Sequence, residues 1–220
     1  MHEPNKLRLN LWKQKLGRVP DSVWEHGELE TLVLADNGLN EVCEKIGRLT
    51  KLRMLDLGHN QLTSVPEALG NLEGLRDFLY LHDNRLTELP AALGKLKKLW
   101  YLNISENQFA RLPECVVKME ALVELHAADN RLAAVAESIG ELRNLRELYL
   151  RNNSLQELPK SMGRLKELRR IDLRGNPVKR LPEELRELPR LEKIDLRWVS
   201  TLEETGWLRE LEARGCLVYR

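Results

Sequence analysis

Residues 145–153 read LRELYLRNN, and 23 positions further on residues 168–176 read LRRIDLRGN. The same frame appears upstream at 52–60 as LRMLDLGHN. Aliphatic residues alternate with polar ones over the middle of each stretch, and an asparagine closes it. Alternation of this kind places successive side chains on opposite faces of a β-strand. Moving outward from these segments, the closing asparagine recurs as Asn37, Asn60, Asn84, Asn107, Asn130, Asn153 and Asn176. The intervals are 23, 24, 23, 23, 23 and 23 residues. A fixed period of this length is the signature of a stacked repeat architecture, and it decides the fold before any local propensity is weighed.

The rest of the unit keeps the same register. Two residues after each asparagine stands Leu39, Leu62, Leu86, Phe109, Leu132, Leu155 or Val178. An aliphatic-Pro pair follows in most units, as in Val65-Pro66, Leu89-Pro90 and Leu181-Pro182. An aliphatic-Gly pair comes next, as in Ile46-Gly47, Leu69-Gly70 and Ile139-Gly140. This pattern resembles the leucine-rich repeat family in its 23-residue form, LxxLxLxxNxLxxLPxxIGxLxx, which is similar to the repeats of plant intracellular Ras-group proteins and of many bacterial repeat proteins. The resemblance implies an α/β leucine-rich repeat solenoid, a curved horseshoe with a parallel β-sheet on its concave side and short helical or 3₁₀ segments on its convex side. The residues support the same picture. One LxLxx strand cannot bury its apolar face alone, but stacked copies build a continuous core. Asparagine donates and accepts, so at the turn after each strand it can bond backbone groups of neighbouring repeats. Proline fixes φ just before the convex segment, which is too short for more than one or two turns.

We read residues 1–220 as a single domain: an N-terminal cap repeat over 1–28, seven full repeats over 29–190, and a partial repeat with a C-terminal cap over 191–220. Gln14 stands at the first asparagine position and Val199 at the last, where a ladder residue has no neighbour on one side. Trp207, Leu208 and Leu211 form an apolar helical stripe, Gly215 can end that helix, and Cys216-Leu217-Val218-Tyr219 reads as a short strand. The 24-residue interval predicts a bulge between Leu75 and Leu79 that turns Phe78 toward the concave surface. Val135-Ala136 replaces aliphatic-Pro, which predicts a looser convex turn.

Composition narrows the function. Leucine accounts for 46 of 220 residues, while aromatic residues are 5%. Lys+Arg is 35 and Asp+Glu is 34, a net charge of +1, which argues against a general nucleic-acid binder. The first residues, Met1 to Lys6, are followed by no apolar run, and no stretch reaches the roughly 20 apolar residues of a membrane span, so neither a secretory leader nor a membrane association is expected. Cys43, Cys115 and Cys216 are odd in number and far apart, which fits reduced thiols and a cytoplasmic setting.

The outward strand positions form ladders across the concave face. Three of the four tyrosines, Tyr80, Tyr101 and Tyr149, fall there with His82, Asn103 and His126. Asp36, Asp83, Glu106 and Asp129 line one rim, Glu124 and Glu147 precede two core strand positions, and Arg151, Arg174 and Arg197 interleave with Asp172 and Asp195 toward the C-terminal end. Tyr and Arg dominate interface energetics. The expected site is therefore Tyr80, His82, Tyr101, Asn103, His126, Tyr149, Arg151 and Arg174, receiving a partner protein or peptide. Solvated strand faces also carry polar residues for solubility, and Arg–Asp pairs across strands stabilise a sheet on their own account.

Two other functions compete. His59, His82, Asp83 and His126 could serve a metal site or a hydrolytic enzyme, although HExxH and GxxxxGK[ST] are both lacking. The chain could instead self-associate through its ends or through Trp12 and Trp198. The three cysteines read as small apolar filler. The leading expectation is a monomeric, non-catalytic scaffold or adaptor without cofactor. The resemblance implies signalling partners, small GTPases among them, but no residue of this sequence selects one.

Overall fold

The computed structural model describes residues 7–203 and 206–220. Met1 to Lys6, on which the leader expectation rests, and Thr205, at the start of the expected cap, lie outside the described residues.

Among the described residues, ten strands form one parallel sheet in chain order. They are β1 (Arg8–Asn10), β2 (Thr31–Val33), β3 (Met54–Asp56), β4 (Phe78–Tyr80), β5 (Tyr101–Asn103), β6 (Glu124–His126), β7 (Glu147–Tyr149), β8 (Arg170–Asp172), β9 (Lys193–Asp195) and β10 (Leu217–Tyr219). Each repeat lies directly on the last, so that Leu55 pairs with Leu79, Leu79 with Leu102, and Leu102 with Leu125. The central residue of each inner strand faces inward and is fully buried or nearly so, and the second core leucine, as in Leu57, Leu81 and Leu150, is equally buried. The core is one continuous column, and its only fully buried aromatic among the described residues is Phe109, at the position after the asparagine. The chain is an α/β leucine-rich repeat solenoid.

The asparagines do what their chemistry allows. Asn60 donates to the carbonyls of Leu57 and Gly58 in its own repeat (both 3.0 Å) and to Leu34 in the previous one (3.1 Å). Its carbonyl oxygen accepts from the N–H groups of Asn37 (3.1 Å) and Leu39 (3.0 Å). One side chain thus pairs five backbone groups that a buried turn would otherwise strand. The ladder runs out at both ends. Gln14 is exposed, and its side chain donates only to its own Trp12 carbonyl (3.2 Å). Next to Val199, the Thr201 hydroxyl donates to the Val178 carbonyl (2.9 Å) and takes over part of the work.

The residue before each asparagine adopts a left-handed conformation: Asp36, His59, Asp83, Glu106, Asp129 and Asn152 have φ between 50 and 56°, and Gly175 has φ of 67°. The same turn recurs at Trp198, with φ of 62°. This reversal carries the chain from the concave strand to the convex side, and it holds one lane of side chains along the rim.

The convex side carries eight 3₁₀ turns among the described residues, five of them opening directly after a proline at the N-cap. They pack closely because of the aliphatic-Gly pair. A Cβ at Gly70 would lie 2.4 Å from the Ala92 carbonyl oxygen of the next turn. The expected loosening at Val135-Ala136 does not occur. Ala136 takes φ −70° and ψ 154°, close to the −70° and 151° of Pro66, and a full turn follows over Glu137–Glu141. Stacking on two neighbours supplies the restraint that proline supplies elsewhere. The irregular turn lies one repeat earlier, where Val117 replaces the close-packed glycine and the turn shrinks to Val116–Lys118.

The extra residue of the 24-residue interval sits just before β4. In regular repeats the carbonyl before one strand takes the N–H groups of the last pre-strand residue and the first strand residue of the next, as Glu30 takes Arg53 and Met54. Here the Arg53 carbonyl takes Arg76 and Asp77 (3.3 and 2.9 Å), both ahead of Phe78, so two residues stand against one. Phe78 then lies half-buried on the concave face. At the C-terminal end the helix α1 (Leu208–Ala213) buries Trp207, Leu208 and Leu211, Gly215 turns the chain at φ 89°, and β10 pairs with β9.

Candidate functional site

Because the strands are in register, outward residues of neighbouring repeats come within ring contact. Tyr80 lies against Tyr101 (centroids 5.1 Å), Tyr101 against His126 (4.9 Å), and His126 stacks on Tyr149 (4.2 Å, 24° between planes). Phe78 extends the row, packing on Tyr80 (5.8 Å) and Tyr101 (5.4 Å). The result is an unbroken aromatic lane over β4–β7, with every ring half-buried by its neighbours and half open to the concave side. Burial is the leading cause of the shifts here. It pushes the Tyr101 and Tyr149 phenols up to about 12 and holds the His126 imidazole down at about 4, so this histidine is neutral at pH 7. The Tyr149 hydroxyl donates to the Glu147 carboxylate.

Four of the eight expected residues, Tyr80, Tyr101, His126 and Tyr149, therefore form one surface. His82 touches that surface only through Tyr80 (5.9 Å, edge-on). Asn103 lies inside the lane, but its side-chain oxygen accepts the Ser105 N–H (3.0 Å) and shapes the strand end. Arg151 reaches back to Asp129 with two N–H groups at 3.3 Å. Arg174 is more fully occupied: its Nε and terminal nitrogen donate to the Asp172 carboxylate (2.9 and 2.6 Å), and Asp195 lies 3.7 Å away. Asp172 and Asp195 are buried, so this cluster is part of the sheet's own ionic packing. Phe78, Glu124 and Glu147 belong to the surface and were missed as site residues. The bulge signal pointed to Phe78. The two glutamates stand 23 residues apart at one ladder position, so their adjacency is legible in the sequence, but the pairing of Arg170 with Glu147 is not.

His59, His82 and Asp83 meet on the rim of β3 and β4. His59 Nδ1 lies 2.7 Å from Asp83 Oδ2, and its Nε2 lies 3.1 Å from His82 Nε2. Gly58 makes room for this, because a Cβ there would come 2.4 Å from the His82 ring. The ring nitrogens of His59 are thus both engaged within the cluster, and His126 lies away from it between two tyrosines. Among the described residues, no group of three or more His, Cys, Asp or Glu side chains is placed to hold a metal ion. Cys43 and Cys115 flank convex turns, Cys216 precedes β10, and all three are free thiols. Burial pushes the Cys115 thiol up to about 11, the reverse of what a nucleophile needs.

A profile of the leucine rich repeat family matches residues 27–86, 77–132 and 142–198. Among solved structures, a leucine-rich repeat protein of Leptospira interrogans superposes with a TM-score of 0.75 at 24% identity, covering 97% of this chain and 66% of that one. The plant peptide hormone receptor RGFR1, solved in complex with RGF2, gives 0.77 at 33% identity over 87% of this chain and 32% of that one. An internalin of Listeria monocytogenes gives 0.72 at 17% identity, over 97% of this chain and 66% of that one. The chain thus spans between 32% and 66% of the length of these proteins. No helix among the described residues is long and apolar enough to cross a membrane. With a matching profile over most of its length and this sheet beneath it, the chain belongs to the leucine-rich repeat family.

Proposed function

We propose that this protein is a non-catalytic binding module, a scaffold or adaptor whose concave sheet receives a segment of a partner protein. The observation that carries this reading is the aromatic lane of Phe78, Tyr80, Tyr101, His126 and Tyr149. A strand face that needed only solubility could carry Thr, Lys or Glu at these positions. Tyrosine offers large contact area at low side-chain entropy cost and a hydroxyl for one directed bond. The leucine-rich repeat fold serves as a protein interaction module, and the RGFR1 structure holds a peptide hormone. Three free cysteines support a reducing, cytoplasmic setting.

The test is partner capture followed by mutation. Tyr80→Ala and Tyr149→Ala should each weaken binding by about 1–3 kcal/mol, as truncated interface anchors do, without unfolding the chain. Arg151→Glu should act mainly on association rate and salt dependence, because a rim charge steers more than it holds. Lys160→Glu on the convex side should be silent. A partner indifferent to both tyrosine changes but lost with convex ones would refute the concave site.

Self-association is the second reading, and it rests on Trp12 and Trp198, which are 55% and 74% exposed at opposite ends of the sheet. A mass that rises with protein concentration, and stays constant in Trp198→Ser, would identify it.

A further inference from the structure

The two glutamates of the aromatic lane are a like-charge register pair, as Asp172 and Asp195 are, but the aspartates are both held by arginines. Glu124 of β6 and Glu147 of β7 are direct partners in the sheet register. Like charges placed opposite one another on adjacent strands destabilise the sheet. Glu147 is compensated: Arg170 lies 3.3 Å away, and the Tyr149 hydroxyl donates to it. Glu124 is not. Its one neighbour at ion-pair distance among the described residues is His126 Nε2 at 3.6 Å, too far for a hydrogen bond. That nitrogen is itself buried with no hydrogen-bond partner. Burial first, and then Glu147, raise the Glu124 carboxyl above the usual range, against a weaker opposing pull from Arg170.

The rings around Glu124 add to the same deficit. Tyr101 is its register partner on the other side, and Tyr149 lies beyond His126. The faces of such rings are electron-rich and attract cations. At the C-terminal end the molecule supplies those cations itself: Lys193 and Arg197 lie 4.7 and 5.4 Å from the Tyr219 ring centre. No Lys or Arg among the described residues lies over the ring of Tyr80 or Tyr101, whereas Tyr149 has Arg170 bonded at its hydroxyl.

A half-buried carboxylate without a Lys or Arg at ion-pair distance, beside a tyrosine face that no cation covers, is complementary to one chemical group. We propose that Glu124, with the Tyr101 ring beside it, receives the guanidinium of an arginine side chain carried by the partner polypeptide. Guanidinium is planar, so it can lie on a tyrosine face while its N–H fork reaches the carboxylate, and it is more weakly hydrated than an ammonium. The proposal rests on the concave-face reading and sharpens it, making Glu124 the charge that selects the partner residue and Tyr101 the surface on which it lies.

The test needs no partner. The full chain is titrated with N-acetyl-arginine methylamide and, separately, with the neutral isostere N-acetyl-citrulline methylamide, while the His126 imidazole and tyrosine ring resonances are followed by NMR. The arginine probe should shift them saturably and the citrulline probe should not. Glu124→Gln should weaken the response about tenfold or more, as expected on loss of a charge-assisted pair. Glu106→Gln, on the exposed rim, should leave the response unchanged. In the absence of probe, Glu124→Gln should melt no lower than the parent protein, because it removes a repulsion. Equal shifts from both probes, an undiminished response in Glu124→Gln, an equal loss in Glu106→Gln, or a lower melting temperature for Glu124→Gln would each overturn the proposal. A captured partner that loses affinity with Tyr149→Ala but binds Glu124→Gln normally would sink the arginine assignment and leave the concave site standing.

Discussion

Asn107 shows at the scale of one residue what holds the stack together. Its amide donates to the carbonyls of Leu81 (3.0 Å), Ile104 (3.2 Å) and Ser105 (3.1 Å), and its oxygen accepts the Leu86 N–H (2.9 Å). Asn107→Ala leaves these buried groups unpaired at about 1–3 kcal/mol each. Gln14→Ala, at the open end of the ladder, removes one exposed bond to Trp12. Thermal melting should therefore fall by many degrees for the first and scarcely at all for the second. Equal shifts would show that the ladder does not carry the stability assigned to it. His126 works in the opposite sense. Its folded value near 4 lies below the ordinary 6.5, so between these values the unfolded chain binds more protons than the folded one. Stability linked to this residue is thus complete above pH 6.5 and is lost as the pH falls toward 4. Denaturant unfolding across that range should show a smaller acid loss for His126→Phe than for the parent protein. Glu124, with a raised carboxyl, acts the other way and loses stability as the pH rises through its folded value.

At the scale of the element, each three-residue strand and each 3₁₀ turn is too short to exist alone. Strand β5 is three residues long, and Leu102 at its centre is fully buried only because β4 and β6 flank it. The same logic makes the last elements necessary. Helix α1 and β10 cover the end of the core through Trp207, Leu208, Leu211 and Cys216, all buried. Removing residues 206–220 would leave β9 as an edge strand and Ile194 and Leu196 beneath it exposed. Since repeat stability is a sum of units and interfaces, the truncated protein should melt earlier and aggregate, as measured by light scattering. A monomer with unchanged melting would show that these elements do not cap the core.

At the scale of the whole molecule, the period fixed nearly everything that depends on covalent spacing. Twenty-three residues from Asn84 to Asn107 dictate which leucines stack, which side chains point outward, and that Tyr80, Tyr101 and His126 share a face. The extra residue before Asn84 was enough to foresee the bulge and the position of Phe78. These features are local or repeat-periodic, and such information is written in one dimension. What the sequence could not determine is how outward residues of different repeats spend their charges on each other. Arg174 stood out as a steering cation until the fold placed the Asp172 carboxylate on its fork. Val135-Ala136 suggested a loose turn, but stacking on both sides gave Ala136 the backbone of a proline. Glu124 and Glu147 are ladder neighbours by their spacing, but only the structure gives one of them, Glu147, an arginine. Pairing energies depend on distances of a few ångströms between side chains 23 residues apart, and only the tertiary structure sets those distances.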